Sequence, residues 1–151
     1  MTKFEFLKFV HILFAIIWVG GGFLALVLTI MSRRATTEYR LGLGRAMGKL
    51  SLRLLSPSAI VVLAFGIWMV LDADPFEFEQ IWIVFGIAGV TISAFLGMGY
   101  LGPKAEKLVE VYESGDTAAG NALLEKIWRV ALVDTALLLF VVWAMVAKPG
   151  L

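Results

Sequence analysis

Residues 9–32 read FVHILFAIIWVGGGFLALVLTIMS, 24 positions without a charged side chain. A helix crossing the hydrocarbon core of a bilayer needs about 20 apolar residues, and this run supplies them. Three further runs follow, at 54–71, 80–103 and, counting through a single aspartate, 130–147. Segments this long and this uniformly apolar do not suit barrel strands, and in lipid the backbone of a helix satisfies its own polar groups. The expected fold is therefore all-α, an integral membrane four-helix bundle. It forms a single domain over 1–151, with spans at about 6–32, 55–72, 79–102 and 128–147. Composition agrees, since 60% of the residues are hydrophobic and 17% charged, against roughly 45–50% and 25% in soluble globular chains. The first run is too long for a signal-peptide core and lacks a small-residue cleavage site, so it reads as a retained helix.

Four spans put the two long connections, 33–54 and 103–127, on one side and both termini on the other. Arg33, Arg34, Arg40, Arg45, Lys49 and Arg53 belong to the first connection, and Lys104, Lys107, Lys126 and Arg129 belong to or flank the second. Together these are ten of the 13 basic residues. The positive-inside rule then makes both connections cytoplasmic and both termini external. The turn carrying Asp72, Asp74, Pro75, Glu77 and Glu79 is purely acidic and falls on the outer side. Trp68, Trp82 and Trp143 lie near outer span ends and Trp128 near an inner one, as an interfacial aromatic belt requires. Trp18 lies mid-span, where its indole N–H needs a partner or a cofactor edge. Ser56-Pro57 reads as a helix start, with a longer kinked helix as the alternative. Residues 103–113 and 117–126 read as helical extensions broken at Ser114-Gly115-Asp116. Small residues recur every fourth position, at Gly21, Ala25, Thr29 and at Gly89, Ser93, Gly97. These ridges suit close packing within the monomer or, alternatively, a seam with a second copy or a larger membrane complex.

Few residues can carry chemistry. There is no cysteine, which removes disulfides, thiolate metal sites and cysteine nucleophiles. A net charge of +1 leaves no basic field for nucleic acid. The segment from Gly42 to Lys49 lacks the spacing of a phosphate-binding loop, and suits a basic stretch against anionic headgroups. Two ionisable residues fall inside spans, and such residues are functional candidates by default. His11, the only histidine, lies about two turns below the outer surface. Asp134 lies about two turns from the cytoplasmic end of the fourth span, with Arg53 as the expected partner of its charge. Met69 and Met145 are on the same side as His11. A thioether with an imidazole can hold Cu(I) or complete the axial coordination of haem iron, although methionines also simply fill apolar gaps.

The segment from Phe9 to Phe23, with Trp18 seven residues and Gly20 and Gly21 nine and ten residues after His11, resembles the opening helix of two groups. These are the CopD-like copper-resistance membrane domains and the HemJ-type protoporphyrinogen oxidases. Residues 23–31, where the HemJ-type pattern continues with an arginine and a further histidine, are uncharged here. The C-terminal VVWAMVAKPG, with Met145, Lys148 and Pro149, looks like the small four-span bacterial integral membrane proteins of unknown function. The resemblance implies a bacterial inner-membrane protein that binds b-type haem, or alternatively copper, through His11, with a redox or cofactor-handling role. It also implies that Trp18 and the Gly20, Gly21, Gly22 step make room beside the histidine. Two other readings stand beside it, a cofactor-free structural or accessory subunit and a small proton-coupled transporter using Asp134.

Overall fold

The protein was analysed as a computed structural model that describes residues 1–72 and 76–150. Asp74 and Pro75 of the acidic turn lie outside the described residues. The described residues are built from helices without strands, four of them long and apolar enough to cross a membrane. These are α1 (Lys3–Ser32), α2 (Thr37–Asp72), α3 (Ile81–Glu113) and α4 (Thr117–Ala147). α1 begins at Lys3 because Thr2 and Glu5 form a reciprocal cap. The Glu5 amide donates to Thr2 Oγ1 at 3.2 Å, and the Thr2 amide donates to Glu5 Oε2 at 2.8 Å. Thr36 and Asp116 cap α2 and α4 by accepting amide protons from Tyr39 and Ala119.

The helices are longer than the apolar runs, because each connection is itself mostly helical. The second helix does not start at Ser56-Pro57; it runs unbroken from Thr37, the alternative that the sequence left open. A proline inside an α-helix lacks the N–H for the i−4 carbonyl and collides with that carbonyl. Here the helix widens into a π turn over Ser51–Leu55, just ahead of Pro57, and the Ser56 amide reaches back to the Ser51 carbonyl. α3 does the same over Gly97–Leu101 ahead of Pro103, with the Gly102 amide on the Gly97 carbonyl. The two widened turns touch each other. Wider turns of this kind absorb local strain and recur at functional sites.

α1 and α2 pair antiparallel along their length. Lys3 forms an ion pair with Asp72, His11 meets Val62, and Gly21 receives the Leu55 side chain. α3 and α4 pair in the same manner, with Gly86 against the Met145 methyl, Gly89 against Val141 and Gly120 against the Tyr112 ring. In each case a Cβ on the glycine would overlap that neighbouring side chain, so the glycine lets the two helices approach closely without displacing it. Lys148 lies over the Trp82 ring at 5.1 Å, so the C-terminus, the N-terminus and the start of α3 share one end of the bundle.

At the opposite end Arg40 closes the C-terminus of α1. It donates to the carbonyls of Ser32 at 2.9 Å and Arg33 at 2.7 Å, and reaches the Tyr112 hydroxyl at 3.2 Å. A cation on the unpaired carbonyls of a helix end is favourable. The apolar interior falls into two clusters. Trp18, Ala59, Val62, Val90, Leu138 and Val141 fill the middle of the bundle. Leu108, Tyr112, Leu124 and Ile127 pack between α3 and α4 near the connections.

Candidate functional site

The two ionisable residues singled out by their depth occupy different surroundings. His11 lies in the seam between α1 and α2, with its ring beside Gly66. A Cβ at Gly66 would come within 3.1 Å of His11 Cε1 and 3.3 Å of Nδ1, so the glycine makes the recess that the imidazole enters. Nδ1 is 2.8 Å from the Val62 carbonyl oxygen. A carbonyl only accepts, so Nδ1 carries the proton and Nε2 keeps the lone pair. Among the described residues no protein group is bonded to Nε2.

The other residues linked to His11 by sequence are distributed differently. Trp18 is buried in the central cluster among Ala59, Val62 and Leu138. Gly21 is filled by Leu55, Gly22 faces Leu138, and a Cβ at Gly20 would meet nothing within 4 Å. The glycine step therefore does not open space beside the imidazole; Gly66, across the seam on α2, does. Met145 packs on Gly86 in the α3–α4 seam and against the central cluster. Met69 is half-buried one helical turn beyond Gly66, on the α2 face that also carries Val62 and Gly66. Of the two methionines it is the one that shares a helix face with the residues His11 touches. Among the described residues no group of three or more His, Asp or Glu side chains converges on one point.

Asp134 faces a cavity of about 130 Å³ inside the bundle. The cavity lies along the interior between the Trp18 level and the Ile127 level, and Trp18, Leu138 and Ile127 form parts of its wall. Both π turns border it, through Ser51 and Leu55 on α2 and through Gly97, Met98 and Leu101 on α3. The two small-residue ridges run into it. Each starts with a glycine occupied by a neighbour's side chain, Gly21 by Leu55 and Gly89 by Val141, and continues as cavity wall at Ala25 and Thr29 or at Ser93 and Gly97. Asp134 Oδ1 and Ser93 Oγ are both sealed from solvent without a protein hydrogen-bond partner. Thr29 and Thr135 also face the cavity, but their hydroxyls donate to carbonyls of their own helices, both at 2.7 Å.

Arg53 does not join Asp134. It is exposed and lines a separate groove with Arg45, Lys49 and Glu106, between the first half of α2 and the last part of α3. The pairing expected from span depth fails because Arg53 and the cavity-lining Ser51 and Leu55 leave α2 in different directions. The remaining aromatic residues separate in the same way. Trp68 and Trp143 are about half exposed, whereas Trp82 is 8% exposed, packed edge-on against Phe76 at 5.4 Å. Trp128 donates its indole N–H to Glu125 at 2.7 Å, and the Arg33 guanidinium lies over its ring at 4.7 Å. No protein-family model, curated protein or solved structure matches the chain.

Proposed function

We propose that this chain is a small multi-pass membrane protein that holds a b-type haem through His11 and serves a redox or cofactor-handling role. The observation that supports the reading is the fixed imidazole. Its Nδ1–H is committed to the Val62 carbonyl at 2.8 Å, and among the described residues its Nε2 lone pair meets no protein partner. Metal-bound histidines characteristically give their second N–H to a carbonyl or carboxylate, which fixes the tautomer and turns the lone pair to the metal. A haem bound there would be held by His11 and would supply one-electron chemistry. The likeness of the first helix to CopD-like and HemJ-type opening helices points the same way. With the basic connections cytoplasmic, as the positive-inside rule favours, both termini are external and His11 lies toward the outer side.

Copper is a second reading, and Met69 favours it. A soft thioether one turn from the recess of the only histidine is a ligand pair suited to Cu(I). Absorbance spectra of the oxidised and dithionite-reduced protein, with iron and copper analysis, distinguish the two. Haem-replete wild type should show a Soret band and iron that His11→Ala loses. Copper in place of iron, lost in both His11→Ala and Met69→Leu, selects the second reading. A folded, colourless and metal-free wild type would remove both and return the chain to a cofactor-free structural role.

A further inference from the structure

The Asp134 cavity lies outside the His11 reading, and its chemistry is set by a missing charge. An unpaired carboxylate inside a membrane protein is costly, so such a group is paired, hydrated or neutralised. Each neighbouring helix was a potential source of a counter-charge, and none supplies one. On α1 the nearest basic residue in the chain, Arg33, is bound to Glu125 at 2.6 Å. On α2, Arg53 lines the separate groove with Arg45 and Lys49. α3 carries no charged residue from Ile81 to Pro103. On α4, Arg129 is 71% exposed and its nearest acid is Glu125 at 3.9 Å. Among the described residues that line the cavity, Asp134 is the only one that is titratable.

The second observation is the pair of unsatisfied atoms. Asp134 Oδ1 and Ser93 Oγ are buried without hydrogen bonds, and both residues line the same void. Buried polar atoms without partners mark places where water or an ion belongs. A volume of 130 Å³ is well above the roughly 10–15 Å³ that a single water centre needs, so it has room for several waters or for one small hydrated ion. The void also has a local cause, since the π turns of α2 and α3, each followed by a proline, border it.

We propose that Asp134 and Ser93 form a binding site for one positive charge, a proton carried on water or a small monovalent cation, in the cavity beside the two π turns. The carboxylate supplies the counter-charge, and the serine hydroxyl supplies a neutral oxygen that can accept from water or face a metal ion. This assignment does not depend on a cofactor at His11.

The test uses the full-length protein in detergent micelles and a hydrophobic carbodiimide, which modifies protonated carboxyl groups in apolar surroundings. Peptide mass analysis then reads the modification of Asp134. The expected result is modification at Asp134 that is absent in Asp134→Asn and slows about tenfold per pH unit once pH exceeds the group's pKa, as for a single titrating acid. Sodium or ammonium salts that slow it at fixed pH and ionic strength identify a cation site; no salt effect identifies a proton site. Either outcome supports the proposal, and Ser93→Ala should move the pH midpoint or the salt concentration for half-protection. Modification indifferent to both pH and cations would overturn it, as would none at any pH. To separate an unreactive site from an unreachable one, Ala131→Cys is introduced into the wall of the cavity, in a chain that has no other cysteine. A small water-soluble thiol reagent should label it, while Ala144→Cys, at a fully buried position on α4, stays unlabelled. Failure to label Ala131→Cys in folded protein would show a dry cavity and would also overturn the proposal. Because Asp134→Asn leaves His11 intact, loss of this site and loss of a haem spectrum are separable outcomes.

Discussion

His11 and Asp134 are both lone ionisable groups in apolar helices, yet the bundle treats them in opposite ways. Around His11 the backbone does the work. Gly66 gives the ring a recess and the Val62 carbonyl accepts its Nδ1–H. Around Asp134 the helices widen, small residues replace large ones, and Oδ1 is left without a protein bond. A polar residue satisfied by fixed groups is held in one orientation; one left facing a void calls for a mobile partner. The residue type alone does not separate these cases, because the difference lies in what the opposing helix contributes.

The largest effect that would break this contrast is expected at Gly66. Gly66→Val places a branched side chain where the imidazole lies, against a ring already 3.1 Å from the nearest added carbon. Overpacking of this kind costs about 1–3 kcal/mol. It should lower the thermal midpoint in detergent and abolish any haem or copper held at His11. Gly66→Ala should do the same to a smaller degree. Unchanged cofactor content in both variants would mean that the recess does not position the ring.

The next test removes the unsatisfied pair. A buried polar atom left without a partner costs about 1–3 kcal/mol, and replacing such atoms by apolar groups of similar shape removes that cost. Asp134→Leu with Ser93→Ala should therefore unfold at least as late as wild type while losing carbodiimide modification. His11→Leu should be destabilised, because it leaves the recess at Gly66 badly filled and the Val62 carbonyl without its extra donor. A double variant that loses as much stability as His11→Leu would make Asp134 a packing residue after all.

Much of this was readable in the chain. Uncharged runs of membrane length are a direct consequence of the solvent around them, so the helices at 9–32 and 130–147 announce themselves. The helix ends were readable only in part. Thr2-Lys-Phe-Glu5 is a capping-box pattern that places the start of α1 at Lys3 rather than about residue 6. Ser56-Pro57 satisfies the local rules for a helix start, but the π turn ahead of it lets the helix continue, and that turn is sustained by packing. Depth along each span singled out His11 and Asp134 as the two ionisable residues inside the apolar runs. It could not give azimuth, so Arg53 was paired with Asp134 when it faces another groove. Ser93 and Gly66 carry no strong signal alone. Antiparallel register between the first two spans, counted from the Lys3 and Asp72 ends, would have brought Gly66 opposite His11.

The smallest expected effect compares the same chemical change in the two regions. Gly66→Ala adds a methyl group into contact with an imidazole, whereas Gly97→Ala adds it at the cavity wall, where an added Cβ meets nothing within 4 Å. Alanine is favoured over glycine in a helix interior by about 0.5–1 kcal/mol. Gly97→Ala should therefore be neutral or stabilising by up to that amount, read as an unchanged or slightly raised thermal midpoint, while Gly66→Ala lowers it. The comparison becomes sharper if Gly97→Ala also slows carbodiimide modification of Asp134, since the methyl then occupies room that the bound charge or its water uses. A loss of stability at Gly97 equal to that at Gly66 would instead mean that the π turn itself requires glycine, and the hollow would owe its shape to backbone freedom rather than to small side chains.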